Sequence, residues 1–446
     1  IFGTEIEVVS AANVGAAPAI NAGGGADLIT FGFSGSTTSA SNVVINGGAG
    51  GDTITISAGV GNTTIGQVAG ADGGDLITLL GSGTYSAVGG GAGSDTIELS
   101  GTVQLATAAT LGAGAGNDVI SSNGALVVST GVGILGGGGS DTITLAGINL
   151  TGSFVNGDST TNGGAADSIT VGAMGVGTIA RGKGGADTIA ITTLGQSAVV
   201  AGNAGGDVIT VSGMAAGAAI QGGQGGDAIN FASGGVTALN VDIIGGGGKD
   251  TITFSVAAAD LSGAAINAGA GADTITFSAA IADNTEIGTL EVSNLGDSKL
   301  GAMDVVFVSG TSNEDARLDF EAGTALSLPS AAALGNNGAV AVTNAANALG
   351  FTTAVGQSGA IGADGVMSFS GQNSASVATA ATYADAATRI GTDPDAGKAI
   401  LFTAGSDEYL FIQGGAAGTD DDYIVKFDGV SGSTMDATNG ITLKFD

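Results

Sequence analysis

Twelve times between Asp27 and Asp273 the chain returns to one phrase: a glycine-rich hexapeptide ending in Asp, followed by a strand-like run with Ile two residues on. The anchors are Asp27, Asp52, Asp75, Asp95, Asp118, Asp141, Asp167, Asp187, Asp207, Asp227, Asp250 and Asp273, and every residue at offset +2, from Ile29 to Ile275, is isoleucine. The anchors lie 20, 23, 25 or 26 residues apart. Self-similarity at such a period marks a stack of identical supersecondary units, each too small to bury its own apolar face, rather than a closed globule.

Aligned on the Asp, offset −2 is Gly in eleven of twelve copies, Ala165 being the exception. Five copies are complete GGxGxD turns: Gly47–Asp52, Gly90–Asp95, Gly136–Asp141, Gly222–Asp227 and Gly245–Asp250. Glycine at fixed places signals backbone that needs positive φ or close approach. After the Asp the pattern alternates with period two, as in Asp-Thr-Ile-Thr-Ile at 52–56, so offsets +2 and +4 face inward and +1 and +3 outward. A second apolar column lies seven residues before the Asp (Ile20, Ile45, Val68, Val88, Leu111, Ile134, Ala180, Val200, Ile220, Ile243, Ile266), broken by Thr160. Each coil is therefore expected to hold two short strands, one glycine turn and one looser turn that absorbs the length variation. Stacked at about 4.8 Å per coil, with strands paired in parallel, twelve coils would extend ~55–60 Å.

Composition agrees with thin layers of small aliphatics. With 86 Gly among 446 residues and no Trp, a core of large side chains is excluded, while 43 % hydrophobic residues and a mean hydropathy of +0.42 argue against plain disorder. The formal net charge of −31 disfavours nucleic acid and anionic membranes as partners and invites cations. The absence of Cys removes disulfide staples and suits an exoprotein stabilised by metal instead. No stretch approaches the ~20 apolar residues that span a bilayer as a helix. Ile1 is neither a start Met nor the opening of a signal peptide, and is expected to be a cut or processing point inside a longer chain.

The organisation expected is an entry coil over 1–19, a solenoid over 20–310 and a C-terminal cap or secretion-type domain over 311–446. Asp304-Val-Val-Phe-Val has the form of a last, degenerate coil. Residues 321–370 show weak periodicity. Ser374–Ile390 is alanine-rich with spacing that fits one helix, and Ala399–Gln413 and Tyr423–Phe427 read as antiparallel strands around the acidic loop Asp420–Asp422. The fold class is thus all-β: a parallel β-solenoid with a small α+β cap covering its last apolar layer.

Calcium takes six to eight hard oxygen ligands and mixes carboxylates with backbone carbonyls. A glycine turn exposes carbonyls, and stacking sets the Asp of one coil beside the turn of the next. The copies GGAGGDTIT (47–55), GGAGSDTIE (90–98), GGGGSDTIT (136–144), GGQGGDAIN (222–230) and GGGGKDTIT (245–253) resemble the RTX family of nonapeptide calcium repeats, GGxGxDxUx with U large and apolar. Over about residues 20–280 this resemblance implies a β-roll with Ca2+ between successive turns, held by the twelve Asp. Here the motif recurs once per coil, not every nine residues, so one edge alone is expected to carry metal, with ions about one coil rise apart. Turns containing Ala165, Asn203, Lys183 or Lys249 are expected to bind weakly or stay empty. The ending Tyr409-Leu-Phe-Ile and Asp422-Tyr-Ile-Val-Lys-Phe-Asp-Gly-Val resembles bacterial surface-layer and related exoproteins exported by type I secretion, which implies an uncleaved C-terminal signal.

Each reading has a plainer rival. The Asp could merely cap its turn by accepting backbone N–H bonds. The outward Thr column at offset +3 (Thr30, Thr55, Thr78, Thr144, Thr170, Thr210, Thr253, Thr276) suits any solvated strand, or an ice-binding array, although Glu98, Ala190 and Asn230 interrupt it. Asp420–Asp422 reads as a solvated loop or an extra calcium site. Catalysis is not expected, since a chain without His or Cys lacks Ser-His-Asp, Cys-His and His-zinc chemistry, and no carboxylate pair stands out from the column. The function expected is an extracellular structural protein that assembles with copies of itself, and with other chains through calcium, into a bacterial surface layer or fibre; polysaccharide contacts would fall to a part upstream of Ile1. The alternative is an RTX-type secretion and folding module of a larger adhesin or hydrolase.

Overall fold

Isoleucine two residues after every Asp can be buried repeatedly only if successive coils lie in register. That is the arrangement in the computed structural model, which describes residues 6–8, 19–32, 42–57, 64–80, 83–123, 126–159, 164–232, 240–255, 264–278, 286–292, 298, 303–308, 316–322, 358–361, 366–370, 398–404, 407–414, 422–428, 430, 433–436 and 441–445. The described elements are strands, with no helix among them, and the chain folds as a parallel β-solenoid in two compact units, Ile1–Gln224 and Gly225–Asp446.

In the first unit the strands that follow the Asp, from Leu28–Gly32 through Thr96–Ser100 to Val208–Val211, pair in parallel, each with the next coil. Register runs Ile upon Ile, as in Ile29↔Ile54, Ile54↔Ile77 and Ile77↔Ile97. Ile6–Val8 adds one more strand ahead of Leu28–Gly32. A second parallel sheet is built from the strands that precede the Asp, with Ile45, Val68, Leu111 and Ile134 packed against the isoleucine column, all fully buried. Each buried aliphatic contributes about 1.5–3 kcal/mol, repeated at every coil.

The break at Thr160 resolves into a substitution. In that coil Val155 pairs with Ile134 and Ala180 and fills the column twelve positions ahead of Asp167, so the extra residues enter at the glycine turn and not at the looser one.

In the second unit Ala228–Phe231, Thr251–Phe254, Thr274–Phe277 and Asp304–Val308 continue the pattern in parallel. Phe231, Phe254 and Phe277 stack with ring centroids 4.7 and 4.9 Å apart and planes within 6°, the spacing of neighbouring strands. Asp304–Val308 is the degenerate last coil expected from its alternation. Tyr423–Asp428 pairs parallel to it, then Asp407–Ile412 and Ala399–Ala404 pair antiparallel, so the terminal edge is covered instead of exposed. Ser374–Ile390, where a helix is expected, lies outside the described residues, as do Asp420 and Asp421. Asp422 is buried and accepts from the Gly414 N–H at 2.8 Å and Gln413 Nε2 at 3.2 Å.

Candidate site: the buried aspartate column

Because the Asp shares the parity of the inward +2 isoleucine, its side chain enters the solenoid at the corner where the glycine turn meets the strand. All twelve anchors are buried, none more than 3 % exposed. One oxygen of each carboxylate from Asp52 to Asp207, and of Asp250, Asp273 and Asp304, is committed to the coil before. The Asp27 N–H donates to Asp52 Oδ1, Asp52 to Asp75, and so on through Asp207, at 2.7–2.9 Å in every link. In the second unit Asp227, Asp250 and Asp273 donate likewise to Asp250, Asp273 and Asp304, at 2.8–3.0 Å. The cap expected as the plain rival is therefore present, though it acts between coils and not within one turn.

The other oxygen has no such donor. Oδ2 of Asp52, Asp75, Asp95, Asp118, Asp141, Asp167, Asp187 and Asp250 is buried with no hydrogen-bond partner. At Asp52, Asp75, Asp95, Asp141, Asp187 and Asp250 glycine five positions earlier makes room for it, at Asp167 Gly157 does, and before Asp118 the place is taken by Ala113; a Cβ on Gly47 would lie 2.2 Å from Asp52 Oδ2. At Gly90 the same point is 2.4 Å from both Asp95 Oδ2 and the carbonyl oxygen of Ala113 in the next coil, and at Gly245 it is 2.6 Å from Asp250 Oδ2 and 2.2 Å from the Ala268 oxygen. At these two glycines a pair of hard oxygens thus converges on a cradle that a side chain would fill.

The rest of the turn is bonded coil to coil. The N–H at offset −2 donates to the carbonyl at −3 of the following coil, as from Gly50 to Asp72 at 2.6 Å and Gly93 to Ala115 at 2.7 Å. Stacking this close is why glycine recurs: Gly48, at φ +108°, would place a Cβ 1.8 Å from the Gly23 carbonyl oxygen. Ala71, Lys183 and Asn203 occupy the corresponding position at φ +82° to +92°, a conformation that costs non-glycine residues.

Burial raises these carboxylates, and the N–H bond from the preceding coil only partly offsets it. Asp141, Asp167, Asp187 and Asp250 are pushed up to about 7 and Asp75 to about 6, with neighbouring column charges adding to the rise. The column's oxygens accordingly favour either a proton or a hard cation.

Two carboxylates of the column escaped the motif. Asp304 lacks a glycine turn but takes the N–H of Asp273, and only its alternating run Asp304-Val-Val-Phe-Val announced it. Asp158 stands opposite Gly137 in the pairing register, is 3 % exposed, and bonds the N–H groups of Ala165 and Gly184. Its charge adds to the rise of Asp141, Asp167 and Asp187, while burial raises Asp158 itself and Lys183 in the adjacent coil partly offsets that. Its only sequence signal was the break at Thr160.

Calcium fits this chemistry in part. Oδ2, which has no hydrogen-bond partner, and the offset −5 carbonyl oxygen of the next coil are hard donors that face one cradle, whereas Oδ1 and the offset −3 carbonyls are already bonded. Among the described residues no three acidic side chains converge on one point, so each cradle offers one carboxylate and carbonyl oxygen. Compared with protein-family models, with curated proteins and with solved structures, the chain matches none.

Proposed function

We propose that this chain is an extracellular structural protein whose solenoid is stapled by calcium along the aspartate column and which assembles into a bacterial surface layer or fibre. The observation that carries the calcium part is the row of buried Oδ2 atoms without donors, which at Gly70, Gly90, Gly136 and Gly245 share a glycine cradle with a carbonyl oxygen of the next coil. A divalent cation there would neutralise buried charge and join two coils. The protein's own residues do the remaining work: Oδ1 fixes the carboxylate on the preceding coil's N–H, glycine at −5 keeps the cradle open, and the isoleucine column excludes water from below.

The structural reading rests on a fold made of one repeated unit and on a sequence with no His and no Cys. Without cation the column concentrates negative charge where glycine turns lose the most backbone entropy on ordering, so the chain would be only marginally folded at low calcium, with reduced strand content and a low melting point, and fold fully at the millimolar calcium outside a cell. That behaviour would equally serve the second reading, a secretion and folding module of a larger exoprotein.

Circular dichroism during a calcium titration tests the staple, and electron microscopy of the calcium-loaded protein separates the two readings. Strand signal that rises steeply with calcium is expected, followed by ordered sheets or fibres. Strand signal unchanged in excess chelator would defeat the staple. Folded monomers at every calcium level would defeat the lattice in favour of the module.

A further inference from the structure

Charge is missing from one face of the solenoid. In the first unit the strands after the Asp present offsets +1 and +3 outward, two positions per coil in nine coils, and of these eighteen residues only Glu98 is charged. The outer side of the opposite sheet carries Asp72, Arg181 and Lys183. The charge-poor face also gathers exposed apolar side chains: Leu28, Leu76, Val119 and Val208 are 36–40 % exposed, all at offset +1.

The pairing register turns these residues into a pattern. Along offset +1, Leu28, Leu76 and Val119 alternate with Thr53, Thr96 and Thr142. Bulky ridges therefore recur at two coil rises, ~9.6 Å, with a shallower Thr row between them. Such a surface is complementary to itself when shifted by one coil.

We propose that this face, on the strands from Leu28–Gly32 to Val208–Val211, is the surface through which a second copy of the chain docks, the ridges of one seated in the Thr rows of the other. The inference rests on the self-assembling function above and names its contact. Charge agrees with that occupant, because the face presents a single carboxylate, Glu98, and two copies of an acidic chain that meet there bring little like charge together. Area agrees. Nine strands ~4.8 Å apart and ~15 Å long cover about 650 Å² per copy, or about 1,300 Å² in the pair, within the range of specific interfaces.

The test compares three full-length proteins in millimolar calcium by sedimentation velocity, with circular dichroism as the folding control. They are the natural chain, Thr55→Glu/Thr144→Glu on the proposed face, and Gln67→Glu/Gln221→Glu, which adds the same two charges at exposed positions of the opposite sheet. The natural chain and the opposite-sheet variant should associate alike, while the face variant keeps its strand signal and associates at least tenfold more weakly. A face variant that associates as the natural chain does overturns this surface and leaves the structural reading standing. A natural chain that stays monomeric overturns both. A monomeric natural chain that shapes ice crystals, with the property lost only in the face variant, would assign the face to ice and overturn docking.

Discussion

The Tyr423 hydroxyl donates to Asp304 Oδ2 at 3.1 Å and so closes the aspartate column. Asp304 is the last carboxylate of the ladder, and the covering strand Tyr423–Asp428 supplies the donor that Oδ2 lacks at coils such as Asp95 and Asp141. Where the stack ends, a phenol does what a proton or cation would have to do inside it.

Removing that donor should therefore loosen the end of the solenoid. Tyr423→Phe takes the phenol donor away from the buried Asp304 carboxylate, at a cost of about 1–3 kcal/mol. Chemical denaturation should register the loss, and hydrogen exchange should rise first in Asp304–Val308. A variant as stable as the natural chain would mean that the bond contributes nothing.

The two oxygens of an anchor can be separated by substitution. Asp141→Asn keeps an acceptor for the Asp118 N–H but removes the charge, whereas Asp141→Ala also strands that N–H, adding about 1–3 kcal/mol of destabilisation. In chelator Asp141→Asn should melt at or above the natural chain, because a buried charge is gone. In saturating calcium it should melt below, because a ligand is gone. Melting curves with the same order in both conditions would argue against cation at this cradle.

Stability without calcium should depend on pH in a defined direction. Folded values near 7 for Asp141, Asp167, Asp187 and Asp250 lie above the ordinary 3.8, so the folded chain holds protons that the unfolded chain has released. Their contribution is complete below 3.8 and is lost as pH rises through about 7. In chelator Tm should fall between about pH 5 and pH 8, and saturating calcium should flatten or reverse the slope, since ligands must be deprotonated to bind. A Tm that climbs over that interval in chelator would contradict the assignment of buried, donor-free carboxylates.

Glycine in the cradle can be told from glycine elsewhere. Gly90→Ala puts a methyl 2.4 Å from both Asp95 Oδ2 and the Ala113 carbonyl oxygen, and should cost at least ~2 kcal/mol through overpacking. At Gly138 a Cβ would meet nothing within 4 Å, and Gly138→Ala should change stability by less than ~0.5 kcal/mol. Equal effects in thermal denaturation would show that the cradle is not a tight site.

Periodicity alone determined the solenoid, because the parity of Asp, +2 and +4 against +1 and +3 is a local property of an extended chain, and glycine every second residue before the Asp demands a turn. The same local logic made Asp304 readable as a last coil and Ala399–Gln413 with Tyr423–Phe427 readable as antiparallel strands. What only the tertiary structure decided is which atom meets which across coils. Oδ1 of Asp52 is taken by the N–H of Asp27, 25 residues away, and Tyr423 reaches Asp304 across 119. Val155 in place of Thr160, and Asp158 beside Asp141, Asp167 and Asp187, likewise follow from how coils of unequal length are brought into register. A one-dimensional pattern repeats a residue type, but only stacking fixes the height at which each residue stands, and that height decides which of its oxygens is bonded and which is left over.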